Sequence, residues 1–301
     1  MKMERQKLNV DVPRAITDFE EAAKEFELKE KLYRIIFRGK GLEFDRYRDY
    51  SQDEDATNID WKASMRAQKL IAKQYIEERD LKVIFAIDVS ENMLLGSSEK
   101  LKCEYAAELV IALSNLILNS NDRVGFVLYS DKIVEYIPPK RGNNHFFLLS
   151  DKLSDSKIYG GGSNTGVVLD FLLDYLGESI DSVFIVSDFI KVNKSHLKKF
   201  YLVAHKFETM AIMVKDLIDK TFPDLDREVV IEDPVTREQI LINPKKVKEI
   251  YEKNSLEQEK IVREVMKEGD IDFLELTTDK AFAFRLAGFL SERINLRRMA
   301  I

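Results

Sequence analysis

Three oxygen-bearing side chains follow an apolar run in the first third of the chain. Residues 83–87 are all apolar, and Asp88, Ser90 and Asn92 come after them at alternate positions. An apolar run of this length is typical of a strand buried on both faces of a sheet. Carboxylate, hydroxyl and amide oxygens are the donors that a hard divalent cation such as Mg2+ prefers. The same residue types are common in turns, so an ordinary turn is the alternative for this stretch alone.

Two further segments carry groups of the same kind. Gly160-Gly161-Gly162-Ser163-Asn164-Thr165 precedes a helical pattern, and residues 182–188 form a second apolar run that ends in an acid. Consecutive glycines let the backbone pass close to a ligand, and Thr165 stands where the helix begins. The segment lacks the Gly-Lys-Ser/Thr of a phosphate-binding loop, so it does not predict nucleotide binding of that type.

The elements that must position these segments alternate between strand and helix. Further strands are predicted at 123–129, 133–137, 209–214 and 271–276, and helices at 14–27, 99–119, 144–152, 196–205, 244–267 and 279–298. This order predicts an α/β fold with a doubly wound, Rossmann-like sheet. In such a sheet the ligand crevice lies at the carboxyl ends of the strands. Pro138-Pro139 is expected to end the strand at 133–137.

Some stretches stand outside this alternation. Hairpins are predicted from 32–37 with 42–44 and from 227–231 with 239–242, while residues 69–80 fit either a helix or a strand. Trp61 is the only tryptophan, and its neighbours alternate between polar and apolar. We therefore expect Trp61 to be a buried packing residue.

The composition excludes several classes of protein. The 301 residues carry a net charge of −6 with both signs interspersed, which is not the footprint of a nucleic-acid-binding protein. Cys103 is the only cysteine, so no intramolecular disulfide forms and a reducing compartment is expected. The first ten residues have no signal-peptide core, and no window reaches the roughly 18 apolar residues of a membrane span. We expect a cytoplasmic protein without membrane insertion.

The three loops together resemble those of a von Willebrand factor A domain. Asp88-x-Ser90-x-Asn92, Gly161-Gly162-Ser163-Asn164-Thr165-Gly166 and Ser187-Asp188 occur in the order of that fold. Other segments resemble the bacterial family called domain of unknown function 58. These segments are 50–66 with Ile59-Asp60-Trp61-Lys62-Ala63-Ser64-Met65-Arg66, then 77–80, 122–125 and 137–142.

The resemblance implies a metal-ion-dependent adhesion site. It implies Mg2+ or Mn2+ as the cofactor and a protein partner whose acidic residue completes the coordination. Carried over residue by residue, the ligands are Asp88, Ser90, Asn92, Thr165 and Asp188. Family members are thought to act with MoxR-type AAA+ ATPases in the assembly or maturation of other proteins. The implied organisation is an N-terminal extension at 1–80 and an A-like domain at 81–301, with a hairpin insertion at 216–243.

Asn92 leaves two alternatives to this non-enzymatic, metal-dependent binding module. The usual first loop is Asp-x-Ser-x-Ser, and an amide at the third position permits a metal-free scaffold with a degenerate site. A Mg2+-dependent phosphatase is the other alternative. Phosphoryl-transfer enzymes of similar topology place a second aspartate two residues after the first, and here that position is Ser90. The sequence therefore does not predict an enzyme.

Overall fold

A computed structural model describes residues 8–28, 42–51, 59–77, 81–223, 225–233 and 235–298. The α-helices are α1 (Val12–Glu25), α2 (Trp61–Ala67), α3 (Lys102–Asn119), α4 (Asn143–Ser154), α5 (Thr165–Asp174), α6 (Leu197–Lys206), α7 (Pro244–Glu268) and α8 (Ala283–Arg298). The strands are β1 (Leu42–Asp49), β2 (Ile71–Glu77), β3 (Lys82–Asp88), β4 (Arg123–Tyr129), β5 (Ile133–Lys140), β6 (Ser182–Ser187), β7 (Glu208–Lys215), β8 (Val229–Glu232), β9 (Gln239–Ile242) and β10 (Asp272–Thr277). The chain divides into two compact units, one of Met1–Ile36 with Leu81–Ile301 and the other of Phe37–Asp80.

The smaller unit contains a two-stranded antiparallel sheet of β1 and β2. The predicted hairpin partner at 32–37 lies outside the described residues. Asp60 caps α2 by accepting a 3.0 Å hydrogen bond from the backbone N–H of Ala63. Trp61 is 64% exposed, so the prediction that it is buried is wrong. The alternation of polar and apolar residues applies to a strand, whereas Trp61 opens a helix and its side chain follows the helical period.

The larger unit is built on a six-stranded sheet with the order β10-β7-β6-β3-β4-β5. Every neighbouring pair is parallel except β4 with β5. This central, mostly parallel sheet flanked by helices confirms the predicted α/β class. The chain leaves β3 toward β4 and β5 and then returns to β6, β7 and β10 on the other side. The strand order therefore reverses between β3 and β6, where open α/β sheets hold their ligands.

One face of this sheet packs against three helices. Ile84 and Ala86 of β3 lie in one buried cluster with Val168 of α5, Phe200 of α6 and Val262 of α7. Successive side chains of a strand point to opposite faces, which is why an unbroken apolar run indicates helices on both sides. α7 is 25 residues long, and among the described helices none is both long and apolar enough to cross a bilayer.

Phe85 marks the other face of the sheet. Its ring stacks on Phe184 at 4.9 Å between centroids and meets Phe126 edge-on at 6.0 Å. On this side α3 contacts β4 and β7, while α1 packs against α3 and α8. Because other helices cover it, α3 is buried around most of its circumference rather than along one stripe.

One predicted strand end is wrong. β5 continues through Pro138 and Pro139 to Lys140, which pairs with Val124. β5 is an edge strand of the sheet, so a proline nitrogen that faces outward has no strand to bond. The register with β4 also shifts between Val124 and Phe126, opposite the two prolines.

The β8–β9 hairpin forms a sheet of its own. Its four residue pairs run from Val229 with Ile242 to Glu232 with Gln239. None of the eight strand residues is buried. A two-stranded ribbon without a buried face is only marginally stable by itself.

Candidate functional site

The two acids predicted at strand ends lie next to each other in the fold. Asp88 is the last residue of β3, Asp188 follows β6, and both side chains are buried. β3 and β6 are paired in parallel, with Ile87 opposite Val186. The polypeptide therefore brings two carboxylates to the carboxyl edge of the sheet at the point where the strand order reverses.

The Asp88 carboxylate connects all three loops. Its Oδ1 accepts a 2.9 Å hydrogen bond from the backbone N–H of Ser90, while Oδ2 accepts from the hydroxyls of Ser163 at 2.9 Å and Ser187 at 2.7 Å. Burial, followed by the charge of Asp188, raises the pKa of Asp88 to about 6 against the opposing effect of these donors. The site therefore carries more negative charge than its own hydrogen bonds compensate.

The glycine segment is held against the first loop by the backbone. Gly160 N–H donates to Val89 O at 2.8 Å, and Glu91 N–H donates to Gly161 O at 3.0 Å. Gly161 has φ +79°, and a Cβ there would lie 3.1 Å from Asp131 Oδ1. Only glycine fits both the backbone conformation and the space. This close approach places Thr165, the first residue of α5, at the same edge of the sheet.

Three buried hydroxyls at this edge have no partner in the part of the chain that the structure describes, and one of them belongs to Tyr129 at the end of β4. Ser90 and Thr165 are buried, and among the described residues neither Ser90 Oγ nor Thr165 Oγ1 makes a hydrogen bond. Leaving a buried polar group unsatisfied costs about 1–3 kcal/mol. Unsatisfied hydroxyl oxygens beside ionised carboxylates suit a hard cation, so these two residues fit the metal that the resemblance implies.

Asp188 is already paired with a cation from the chain. Lys102 Nζ lies 2.9 Å from Asp188 Oδ2 and 3.1 Å from Asp219 Oδ2, and the lysine side chain is buried. Burial alone disfavours the ammonium, but the two carboxylates outweigh it and raise the pKa of Lys102. The other Asp188 oxygen accepts from the N–H of Ile190 at 3.1 Å. Asp188 therefore fits the role of a metal ligand less well than Ser90 and Thr165 do.

Asn92 lies in a single 3-10 turn that spans Glu91–Leu94. It is half-buried, and its backbone carbonyl accepts from the N–H of Leu95 at 3.2 Å. The fold thus places all five predicted ligands in the loops at the carboxyl edge. Among the residues described, no group of three or more histidine, cysteine or acidic side chains could hold a metal. A cation here would depend largely on hydroxyl and amide oxygens.

A cavity of about 270 Å3 lies beside Asp188, between the sheet edge and α7. Polar side chains of α7 line it and bond to the loops. Tyr251 donates to Ile218 O at 2.7 Å, Ser255 to Asp219 O at 2.7 Å and Gln258 to Val192 O at 2.8 Å. These groups hold α7 against the sheet edge and thereby fix the position of Asp219.

Sequence reasoning missed the residues that support the ligands. Ser163 and Ser187 lie inside the quoted motifs, and their position next to the predicted ligands could have suggested a supporting role. Lys102 and Asp219 had no such signal, because the residue type alone does not show whether a lysine is buried or exposed to solvent. The contact between Lys102 and Asp188 joins residues 86 positions apart.

The fold and site define an α/β protein with carboxylates and unsatisfied hydroxyls above a mostly parallel sheet. Within that class, the chain belongs to the family described as "Protein of unknown function DUF58", whose sequence model matches residues 46–261. The predicted family is therefore confirmed.

A curated relative and two solved structures are similar to this chain. "Uncharacterized protein Rv1480" of Mycobacterium tuberculosis is 23% identical over 66% of this chain and 62% of its own length. The chain thus spans less than two thirds of the curated relatives that it matches. The crystal structure of conserved hypothetical protein BatB from Bacteroides thetaiotaomicron is 15% identical with a TM-score of 0.51, covering 71% of this chain and 99% of BatB. An aerotolerance-related membrane protein from Bacteroides fragilis is 13% identical with a TM-score of 0.48, covering 72% and 99%. At this identity, the BatB likeness shows the fold alone.

Proposed function

We propose that this chain is a metal-dependent protein-binding module of the von Willebrand factor A type. It binds Mg2+ or Mn2+ at the carboxyl edge of the sheet and acts with a MoxR-type AAA+ ATPase in the assembly or maturation of other proteins. The observation that carries the proposal is the pair of buried, unpartnered hydroxyls of Ser90 and Thr165, on the two segments whose Ser90 N–H and Ser163 hydroxyl bond to the Asp88 carboxylate.

In the proposed site, the five residues have different roles in binding the cation. Ser90 and Thr165 offer neutral oxygens for direct contact, Asp88 and Asp188 supply charge or hold bound waters, and Asn92 offers an amide oxygen directly or through water. The bound cation supplies an electrophile for the carboxylate of a partner protein. Asp88 is kept in place by Ser163 and Ser187, so the loops need little rearrangement on binding.

The same geometry does not favour hydrolysis. Ser90 occupies the position where a phosphoryl-transfer aspartate enzyme needs its second acid. Among the described residues no histidine or lysine bonds to the Ser90 hydroxyl, so it lacks the usual base of a serine nucleophile. We therefore propose a binding function without turnover.

One observation favours a metal-free scaffold as the second candidate. The Lys102 ammonium already pairs with both Asp188 and Asp219 and offsets one of their two charges, so the edge holds an internal cation. Its charge lowers the electrostatic gain from a divalent cation nearby. In this second function the edge binds a partner without metal.

Calorimetric titration with Mn2+ and Mg2+ separates the two candidates. We expect Ser90→Ala to weaken Mn2+ binding at least tenfold, which corresponds to about 1.4 kcal/mol. Ser114→Ala is the matched control, because Ser114 Oγ is also buried and unpartnered but lies in the middle of α3. Failure of the folded wild type to bind either metal would favour the scaffold, and equal loss in both variants would remove the special role of Ser90.

A further inference from the structure

The tip of the β8–β9 hairpin contacts the first loop of the candidate site and lies near the glycine segment. Arg237 Nη2 lies 2.8 Å from Glu91 Oε1, and Glu91 stands between the predicted ligands Ser90 and Asn92. Val235 Cγ1 is 3.9 Å from the point that a Cβ on Gly162 would occupy. Glu91 Oε2 in turn lies 3.6 Å from the corresponding point on Gly160. The hairpin tip therefore lies against the rim of the site.

The tip is organised to present Arg237. Asp233 Oδ1 accepts 2.8 Å hydrogen bonds from the N–H groups of both Val235 and Thr236, and Arg237 N–H donates to Asp233 O at 2.9 Å. Arg237 has φ +63°, a conformation that non-glycine residues seldom adopt. Its guanidinium also bonds to Glu232 at 3.2 Å. The turn and the arginine thus form one preorganised unit.

The rest of the hairpin is held weakly. Val230, Ile240 and Leu241 are exposed although they are apolar, and the ribbon has only four residue pairs. Segments with few buried contacts open at low free-energy cost. The ion pair between Arg237 and Glu91 is itself largely exposed on the arginine side, and such pairs contribute little. A preorganised tip on a weakly held ribbon has the properties of a movable flap.

We propose that the β8–β9 hairpin is a flap that closes over the candidate site and is fastened by the ion pair between Arg237 and Glu91. The inference rests on the proposed function, since it adds regulation to the same site. In the closed state the positive charge of Arg237 weakens the binding of a divalent cation at the site. The hairpin tip also obstructs the rim from which a partner approaches. A partner's acidic side chain competes with Glu91 for the guanidinium, so an acidic partner opens the flap that it must pass.

A thiol probe under the flap tests this without any metal. In a Cys103→Ala background, Gly162→Cys places one thiol beside Val235, and the nearest atoms at 3.9 Å leave room for it. Gly177→Cys is the matched control because nothing lies within 4 Å of its Cβ position. We expect Arg237→Gln to raise the rate of maleimide labelling at position 162 about two- to fivefold, the range that an exposed ion pair supplies. Labelling at position 177 should not change.

Two companion variants and one titration complete the experiment. Glu91→Gln should raise labelling at position 162 as Arg237→Gln does, while Arg237→Lys keeps the charge and should stay near the wild-type rate. Arg237→Gln should also tighten Mn2+ binding. Equal labelling of position 162 with and without Arg237 would overturn the flap. Absence of Mn2+ binding in every variant would instead overturn the proposed metal function, while the labelling rates still decide the flap.

Discussion

Two buried carboxylates at the same edge of the sheet differ in how well their surroundings satisfy them. Asp216 follows β7 and accepts hydrogen bonds from Ser97 N–H at 2.9 Å, Thr278 Oγ1 at 2.6 Å and Ile218 N–H at 3.1 Å. The Ser97 hydroxyl donates to it as well. Burial opposes its ionisation, but the donors outweigh burial and lower the pKa of Asp216 to about 2.

Asp88 shows the reverse balance although it also accepts hydrogen bonds from serines. Burial and the neighbouring charge of Asp188 raise its pKa to about 6. Ser90 and Thr165, two of the residues whose hydroxyls stay unsatisfied at this edge, lie on the first loop and at the end of the glycine segment. A complete set of donors marks Asp216 as a structural anchor of the edge. The raised pKa of Asp88 and the unsatisfied hydroxyls near it are the features on which the proposed cation site rests.

Removal of the internal cation should have the largest effect. Lys102→Met leaves the buried Asp188 and the partly buried Asp219 without their counter-ion, and breaking a buried pair costs about 3–5 kcal/mol. Urea denaturation measures the loss. Lys199→Met is the control, because Lys199 pairs with Asp170 on the surface and should cost at most about 1 kcal/mol. An unchanged urea midpoint for Lys102→Met would show that the lysine is not the counter-ion of the site.

The two carboxylates can be compared directly by removing one charge at a time. Asp216→Asn turns an acceptor of several donors into an amide and should cost about 2–3 kcal/mol, since hydrogen bonds to a charged group are the strong ones. Asp88→Asn removes a charge that the metal-free fold disfavours and should stabilise it by about 1–2 kcal/mol at pH 7. Urea denaturation in the presence of a chelator measures both changes in unfolding free energy. Equal destabilisation by the two substitutions would show that the two carboxylates do not differ in how well their surroundings satisfy them.

Much of the edge could be predicted from the sequence because its signals are local. An apolar strand followed by Asp88, and a glycine segment followed by Thr165, each lie within a dozen residues. The supporting contacts are not local. Arg237 meets Glu91 across 146 positions, and Ser97 meets Asp216 across 119, so neither pair leaves a pattern in the sequence.

Local patterns also failed where the assumed period was wrong. The alternation around Trp61 predicts a buried side chain, but Asp60 caps a helix there and the tryptophan is exposed. Pro138-Pro139 is expected to end β5, yet the strand continues because it lies at an edge and its register with β4 shifts opposite the prolines. The first error is local, since the helix cap joins Asp60 to Ala63, whereas the second depends on the position of β5 in the sheet.

Asn92 should affect how tightly the proposed site around Asp88 binds a metal. Because its side chain is one bond longer than serine, we expect it to contact the metal through a water. Asn92→Ser should then tighten Mn2+ binding about tenfold, or about 1.4 kcal/mol, whereas Asn92→Leu should weaken it. Calorimetric titration of the three proteins in one buffer is the measurement. If Asn92→Leu bound Mn2+ more tightly than the wild type, the Asn92 amide would contribute nothing to metal binding.

The pH dependence of stability should separate the two carboxylates by sign. The pKa of Asp88 in the fold, about 6, exceeds its ordinary value of 3.8, so its contribution is fully present at low pH and is lost as pH rises through 6. The pKa of Asp216 is lowered to about 2, so its contribution is present above 3.8 and is lost as pH falls toward 2. The metal-free protein should therefore gain about 1 kcal/mol from Asp88 between pH 7 and pH 5. It should lose stability from Asp216 only below about pH 4.

Urea midpoints at pH 7, 5 and 3 in wild type, Asp88→Asn and Asp216→Asn measure these two contributions. The difference between wild type and each variant removes the other titrating groups from the comparison. Asp88→Asn should lack the gain between pH 7 and 5, and Asp216→Asn should lack part of the loss below pH 4. Saturating Mn2+ should reverse the slope between pH 7 and 5, because a bound cation stabilises the ionised form of Asp88. If the wild type gained no more unfolding free energy between pH 7 and 5 than Asp88→Asn does, the surroundings of Asp88 would stabilise its ionised form as well as those of Asp216 do. That result would remove the electrostatic reason for a cation at this edge.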